Sequence, residues 1–207
     1  MAPLSRPEDG SGRHATGCRR RLVRGICALL AAGVLPASPL RVDAQPAEDA
    51  AALERRIKAV FVFKFAAFVE WRAGLLENPE SPIWIAVMGE ESIVRDIADA
   101  AASRTVEGRR VQARQVAPGD PLDGVHILFL RDAAYRRLGD AIERLSPQPM
   151  LIVTESPGAL SHGSVVNFVV DDERVRFDIS LDAAERRGLK LSSRLITVAR
   201  SVSSRAR

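Results

Sequence analysis

The sequence predicts an α/β fold in which helices cover both faces of a mostly parallel central sheet. Three short apolar runs, "IWIAVMG" (83–89), "GVHILFL" (124–130) and "PMLIVTES" (149–156), have the length and composition of strands buried on both faces. Amphipathic segments lie between them, which is the pattern of successive strand and helix units. This pattern predicts a Rossmann-like three-layer fold. An aromatic-rich helix precedes it, and a β-hairpin plus a helix follows it.

The N-terminal helix is predicted from an aromatic segment, "FVFKFAAFVEW" at 61–71. Apolar residues from Ile57 to Val69 recur at steps of three and four, which predicts one helical face and a helix over about 50–71. Phe63 lies roughly 200° around the helix axis from Phe61, outside this stripe. The helix is therefore apolar on more than one side. Two interpretations stay open: burial between two layers of one domain, or a patch that a partner protein covers.

Further elements are predicted between the buried strands. Helices are predicted at "EESIVRDIADAAAS" (90–103) and "DAAYRRLGDAIERL" (132–145), the second with Asp132 as its N-cap. Alternation of polar and apolar residues predicts a half-exposed strand at "RRVQARQV" (109–116). The helix predicted at 90–103 has apolar residues four apart on one face: Ile93, Ile97 and Ala101.

The last third of the chain departs from the parallel pattern. Two strand-like stretches, "SVVNFVV" (164–170) and "RVRFDIS" (174–180), flank the polar turn "DDE" and predict an antiparallel hairpin. A short helix, "LDAAERR" (181–187), is predicted to stop at Gly188, where glycine readily takes the left-handed conformation. "KLSSRLITVARSV" (190–202) is predicted as a closing helix, with the adjacent pair of serines at its start.

Residues 1–44 have the organisation of a cleaved secretory signal peptide. A basic segment, "CRRRLVRG" (18–25), precedes "ICALLAAGVL" (26–35), and the small residues of "VDA" stand before Gln45. The apolar run is too short for a permanent membrane span, which needs about twenty residues. We therefore expect export to the periplasm and a single domain over 45–207.

The balance of charge changes at the same boundary. Seven of the 30 basic residues and three of the 26 acidic residues lie in 1–44, so the remainder of the chain is formally neutral. A neutral domain gives no reason to expect a nucleic acid partner. Both cysteines, Cys18 and Cys27, lie in the signal segment as well. The exported domain is therefore expected to be stabilised by its core, without disulfides.

Patterns of enzyme chemistry are weak in the exported domain. Gly89 follows the first buried strand, but a phosphate-binding loop needs several glycines, and Glu90 and Glu91 would repel a pyrophosphate. Ser161 and His162 are adjacent on a polar loop, where nucleophile, base and orienting group do not reach the geometry of acyl transfer. We therefore expect no catalytic residues and no enzymatic activity.

Metal binding is not indicated by spacing either. The exported domain contains His126 and His162 and no cysteine, whereas a zinc site collects three or four ligands. His126 falls inside a predicted buried strand, where a hydrogen-bonded structural imidazole is the commoner outcome. "DDER" (171–174) falls at the predicted hairpin tip and is expected to be a solvated turn. We expect neither a metal nor a cofactor.

Five stretches between Ile57 and Val202 together resemble the YfiR family of exported bacterial proteins. They are, in order, "KAVFVFKFAAFVEW", "RTVEGRRVQAR", "GVHILFL", "GSVVNFVVDDERVRFDIS" and "GLKLSSRLITVAR". The first is similar to the family's aromatic opening helix, and the third to its central strand. The last two resemble its most recognisable block, which combines a glycine, an Asn-Phe pair, a hairpin and a Leu-Ser-Ser-Arg-Leu close.

The resemblance implies a function that composition and spacing do not give. The best-known members of the family are periplasmic repressors that bind the periplasmic sensory domain of an inner-membrane, GGDEF-domain diguanylate cyclase. They are not enzymes, and loss of such a repressor raises cyclic-di-GMP and biofilm formation. An outer-membrane-associated lipoprotein sequesters the repressor, and a homodimer is a further expected assembly. The chain departs from these members at Val125, where a disulfide-forming cysteine usually stands, so redox control is not carried over.

A second interpretation is a periplasmic small-molecule-binding protein that serves a sensor histidine kinase or an outer-membrane receptor. Under either interpretation the domain acts by binding, and an interface needs an apolar anchor with a polar rim. Phe63 and Trp71 are the candidate anchors; the alternative is that both are buried against the sheet. Four side chains are candidate donors to an anionic ligand or to a partner's carboxylates: Asn167, Arg176, Lys190 and Arg194. The alternative is that Asn167 satisfies backbone groups while the basic side chains are solvated.

Overall fold

The computed structural model describes residues 45–71, 76, 78, 80–131, 142 and 149–204. The helices are α1 (Gln45–Phe65), α2 (Glu91–Ala101), α3 (Leu181–Arg186) and α4 (Ser193–Val198), with a 3₁₀ helix at Ala159–His162. The strands are β1 (Val69–Glu70), β2 (Ile83–Met88), β3 (Thr105–Val106), β4 (Arg109–Gln115), β5 (Ile127–Leu130), β6 (Leu151–Thr154), β7 (Val166–Asp171), β8 (Arg174–Ser180), β9 (Lys190–Leu191) and β10 (Ser201–Ser203). The signal peptide predicted at 1–44 and the helix predicted at 132–145 lie outside the described residues, apart from residue 142.

Within the described ranges, the central sheet has eight strands in the order β10-β8-β7-β6-β5-β2-β4-β3. Five neighbouring strands, β4, β2, β5, β6 and β7, run parallel, and β8 pairs with β7 as an antiparallel hairpin. Counted along the chain, the parallel strands lie in the order second, first, third, fourth and fifth, as in doubly wound folds of the flavodoxin type. The predicted mostly parallel α/β fold is therefore confirmed, together with its C-terminal hairpin.

The central strands β2, β5 and β6 are buried on both faces because their side chains alternate between two apolar clusters. The cluster on the α1 face takes alternate residues from β2 and β5: Ile83, Ile85, Val87, Ile127 and Phe129. The cluster on the opposite face takes the residues between them: Ala86, Met88, Leu128 and Leu130. A strand that faces apolar layers on both sides reads as an unbroken apolar run, which is the pattern that predicted these strands.

Helix α1 is longer at its start and shorter at its end than the predicted span. It begins at Gln45 and ends at Phe65, so the predicted end near Trp71 is wrong. Backbone hydrogen bonds from each residue to the third preceding one, from Ala66 to Phe68, tighten the chain into a turn after the helix. Val69 and Glu70 then pair with β9, which redirects the chain. Within the described residues, no helix is long and apolar enough to cross a membrane.

The C-terminal segment also differs from the predicted closing helix over 190–202. Its first residues form β9, the helix α4 covers only Ser193–Val198, and Ser201–Ser203 forms β10 beside β8. Ser192 caps α4 as predicted, since its hydroxyl accepts a hydrogen bond from Leu195 N at 3.3 Å. The helix ends because Arg200 N donates to Phe177 O at 2.8 Å, which commits the chain to the sheet. By contrast, the predicted short helix and its left-handed Gly188 (φ 63°) are confirmed.

Candidate functional site

Open α/β sheets commonly bind ligands beyond the carboxyl ends of their strands, where the strand order reverses direction. Here that place lies between β2 and β5, and Arg131 occupies it. A Cβ atom added to Gly89, at the end of β2, would lie 2.3 Å from Arg131 Cγ. Arg131 Nε in turn lies 2.6 Å from Glu155 Oε1. The crevice is therefore filled by the chain's own side chains.

Glu155 also binds helix α1. Lys58 Nζ donates to Glu155 Oε2 at 2.8 Å and lies 2.5 Å from Glu54 Oε1, one turn earlier on the helix. The side chains of Lys58 and Glu155 are only 8% and 7% exposed. Carboxylates face both cations, so this edge of the sheet is an ion-pair network that fastens α1 to the ends of β5 and β6.

An apolar groove of about 810 Å³ lies beside the end of α1. Its floor is formed by phenylalanines from α1 and β8, and its walls by the residues after α2, by β8 and by α4. Ring contacts fix the floor: the Phe65 and Phe177 rings meet edge to face at a centroid distance of 5.1 Å. The floor of the groove is therefore a packed aromatic surface.

The groove joins two parts of the sheet that are distant in strand order. Both β3 and β8 contribute to its lining, although five strands separate them. In a flat sheet, six strand spacings would place them about 29 Å apart. The sheet therefore curves around α1, and the groove opens where its two sides approach the end of that helix.

Among the described residues, the charged side chains that line this groove are all basic: Lys64, Arg104, Arg174 and Arg176. The guanidinium carbon of Arg104 lies 6.0 Å from the centroid of the Phe63 ring, at the outer limit of a cation–π contact. An apolar floor with a cationic rim suits a ligand or protein segment that is apolar on one side and acidic at its margin.

The two predicted anchors lie in different places. Phe63 is 6% exposed and belongs to both the core and the groove, with Arg104 above its ring. Trp71 is half-buried outside the groove; its Nε1 donates to Ala66 O at 3.2 Å, and its ring meets His126 edge to face at 5.5 Å. The alternative interpretation, burial within the domain, therefore holds for Phe63 and holds in part for Trp71. A partner contact by either residue remains a prediction.

The four predicted polar contacts do not share one site. Asn167 is 6% exposed, and its Oδ1 accepts hydrogen bonds from Thr154 Oγ1 at 2.7 Å and Ser156 N at 3.0 Å. Its side chain therefore joins β7 to the end of β6. Of the remaining three, only Arg176 lines the groove. Lys190 Nζ lies 3.9 Å from Glu70 Oε2 at the β1 and β9 pair, and Arg194 is exposed on α4.

Lys64, Arg104 and Val198 are groove residues that the sequence did not single out. Lys64 lies on α1, Arg104 in the loop that follows α2, and Val198 on α4, so no local spacing connects them. Only the curvature of the sheet brings them together, so a one-dimensional pattern carried no signal for this site.

His126 and His162 both have local structural surroundings. His126 is 4% exposed, and its Nδ1 accepts a hydrogen bond from Trp84 N at 3.2 Å, which confirms the predicted structural imidazole. His162 lies in the predicted polar loop, between Gly158 and Gly163, which both have positive φ. Within the described ranges, no group of three or more His, Cys, Asp or Glu side chains is placed to hold a metal ion.

The fold and the groove define the class of the protein, an α/β domain with an apolar surface groove. The profile of the YfiR/HmsC-like family matches residues 55–200. The chain therefore belongs to the YfiR/HmsC-like family, a family of periplasmic regulators associated with diguanylate cyclase signalling. The predicted resemblance is confirmed.

Comparison with solved structures finds a similarity to the crystal structure of a conserved domain protein from Vibrio cholerae O1 biovar eltor. The TM-score is 0.45 and the sequence identity 12%, and the alignment covers 62% of this chain and 56% of that chain. The chain thus spans just over half the length of that structure. No curated protein matches the chain.

Proposed function

We propose that this protein is a periplasmic regulator that binds the periplasmic sensory domain of an inner-membrane diguanylate cyclase and represses the enzyme. The observation that carries the proposal is the family match over 55–200, which includes every residue that lines the groove. The signal-peptide pattern of residues 1–44 supports a periplasmic location. Repression follows if the protein binds the inactive conformation of the sensory domain more tightly than the active one.

Repression is relieved when another protein occupies the surface that binds the cyclase. A protein that competes for the repressor, such as an outer-membrane lipoprotein, would lower the concentration available to the cyclase. Homodimers would do the same if they covered the binding surface. Each of these assemblies changes cyclic-di-GMP through mass action, with no bond made or broken by the regulator itself.

Gene deletion tests the proposal directly. Loss of the gene should raise cyclic-di-GMP, measured by mass spectrometry of cell extracts, and increase biofilm mass. The wild-type gene should restore both values, whereas a version that begins at residue 45 and stays in the cytoplasm should not. Unchanged cyclic-di-GMP in the deletion strain would contradict repression.

A second candidate function is a small-molecule-binding protein for a sensor histidine kinase or an outer-membrane receptor. The groove favours it, because a volume of about 810 Å³ lies within the range of ordinary ligand sites. A thermal-shift screen of periplasmic metabolites, without any cyclase domain, tests it. Strong stabilisation by one compound, together with unchanged cyclic-di-GMP in the deletion strain, would favour this candidate over the first.

A further inference from the structure

The groove continues along α1 as a shallow apolar surface. Ile57, Val60 and Phe61 line a second concavity of about 340 Å³, which shares Phe61 and Lys64 with the groove. One turn earlier, Leu53 is 59% exposed, and Ile57 is 37% exposed. Helix α1 rises about 18 Å between Leu53 and Phe65. The apolar surface is therefore long and narrow, with the deep groove at one end.

Basic residues border this surface on both sides. Arg56 and Lys64 lie along α1, whereas Arg104 and Arg176 lie on the opposite walls of the groove. Arg174 also lines the groove, opposite Asp171 in the hairpin register, and Arg56 Nε lies 4.0 Å from Asp96 Oδ1 on α2. Among the described residues that line the two concavities, no acidic side chain occurs. The border is positive although the chain after residue 44 is formally neutral.

We propose that this surface docks an amphipathic segment of the cyclase sensory domain, with apolar side chains on the aromatic floor and acidic side chains along its margins. The inference rests on the proposed function and names the surface that performs it. Helix-in-groove recognition uses apolar anchors three and four residues apart, and about 18 Å accommodates three turns of such a helix. Arginine, which lies on both walls of the groove, is enriched among the residues that dominate binding energy at interfaces.

The shape favours a protein segment over a free amphiphile. A small-molecule site encloses most of its ligand, whereas this surface is open along α1 beyond the groove. Leu53 and Ile57 lie outside the deep groove and would contact only an occupant that extends along the helix. Carboxylates on a docked helix also reach cations on both margins, whereas a fatty acid has one head group.

Two exposed groove positions allow the surface to be altered without disturbing the core. Val198 lines the groove and is 62% exposed, so Val198→Asp places a carboxylate on the apolar surface. Its matched control is Val170→Asp, at a valine that is 56% exposed and does not line the groove. Arg176→Glu reverses one charge on the rim. Its control is Arg95→Glu on α2, where the side chain is 71% exposed and away from the groove.

The experiment measures the affinity of the exported domain for the purified periplasmic domain of the cyclase whose output rises in the deletion strain. Val198→Asp and Arg176→Glu are each expected to weaken binding about tenfold, and the two controls less than about twofold. Arg176→Glu should also reduce the dependence of affinity on salt. Unchanged melting temperatures show that each variant is folded.

The outcomes separate the docking site from the proposed function. If the wild type does not bind the cyclase domain, the proposed function fails, and the docking site fails with it. If the wild type binds and both groove variants bind equally well, only the docking site is overturned. The docking site alone is also overturned if the groove variants keep full affinity for the cyclase domain but lose another property of the wild type. That property is binding of sodium palmitate or formation of a homodimer, measured by sedimentation.

Discussion

Arg200 holds Asp178 through two parallel hydrogen bonds, from Nε to Oδ1 at 2.9 Å and from Nη2 to Oδ2 at 2.6 Å. This bidentate pair lies where the last strand, β10, joins β8, and Ser201 is the register partner of Asp178. The Arg200 hydrogen bonds hold the pKa of Asp178 below its ordinary value of 3.8, against the opposing effect of burial. The pair therefore couples the end of the chain to the sheet in a pH-dependent manner.

We expect Asp178→Asn to lower the melting temperature by a few degrees at neutral pH. The depressed pKa means that Asp178 stabilises the fold fully above 3.8 and loses this contribution as pH falls towards its folded value. The variant should therefore show a shallower loss of stability on acidification than the wild type. Thermal unfolding from neutral pH to about pH 3 measures this.

Asp172→Asn is the control, because Asp172 is exposed at the hairpin tip, and asparagine accepts its left-handed φ of 48°. Its acid unfolding curve should follow that of the wild type. Parallel curves for the wild type and Asp178→Asn would show that the pair adds no pH-dependent stability.

The same pair explains why the closing helix was predicted too long. Over 190–202 the sequence has the composition of a helix, but Arg200 meets Asp178 only after the hairpin has formed. Strand pairing of Ser201–Ser203 then outweighs local propensity. Contacts between residues that are 22 positions apart leave no periodic pattern in the sequence.

The central strands were predictable because burial on two faces leaves a one-dimensional pattern. Runs such as Ile83–Met88 contain no polar residue, and the polar residues of the hairpin turn, Asp172 and Glu173, interrupt the apolar pattern between β7 and β8. The groove leaves no such pattern, since Phe63, Arg104 and Arg176 belong to different elements. Asn167 lies in the first strand of the predicted hairpin, but its buried hydrogen bonds to Thr154 and Ser156 depend on the pairing of β6 with β7.

Removal of the charge on Glu155 should destabilise the domain strongly. Its carboxylate contacts both Lys58 and Arg131 in a nearly buried position, so Glu155→Gln leaves two cations partly uncompensated. We expect a loss of about 3 kcal/mol in the free energy of unfolding, measured by urea denaturation.

Glu91→Gln is the matched control, because Glu91 lies 4.0 Å from Arg95 and both side chains are more than 70% exposed. It should cost less than about 0.5 kcal/mol. Equal losses for the two variants would contradict a special role of the Glu155 network in fastening α1.

Truncation of Phe65 should have a cost typical of a large core residue. The ring is 1% exposed and contacts the Phe61, Phe168 and Phe177 rings, at 5.1 Å in the last case. Phe65→Ala is expected to lose about 4 kcal/mol in unfolding free energy, through lost transfer energy and a residual cavity. Leu53→Ala, on the same helix but 59% exposed, should lose less than about 0.5 kcal/mol. A loss below about 1 kcal/mol for Phe65→Ala would mean that α1 is not packed on the sheet as described.

A substitution at Gly89 tests whether the Arg131 side chain packs closely against the end of β2. Its backbone is outside the left-handed region, so alanine is conformationally acceptable, and any cost must come from contact with Arg131. A new Cβ would lie 2.3 Å from Arg131 Cγ, which forces that side chain away from Glu155. We expect Gly89→Ala to lose about 2 kcal/mol of unfolding free energy.

The double variant Gly89→Ala with Arg131→Ala separates this contact from other effects. Shortening Arg131 removes the closest atom, but its Cβ remains 3.0 Å from the added methyl group, so the cost of Gly89→Ala should fall without vanishing. We expect a coupling free energy of about 1 kcal/mol between the two positions, measured by a double-mutant cycle in urea. Additive losses would show that Arg131 does not limit the space at Gly89.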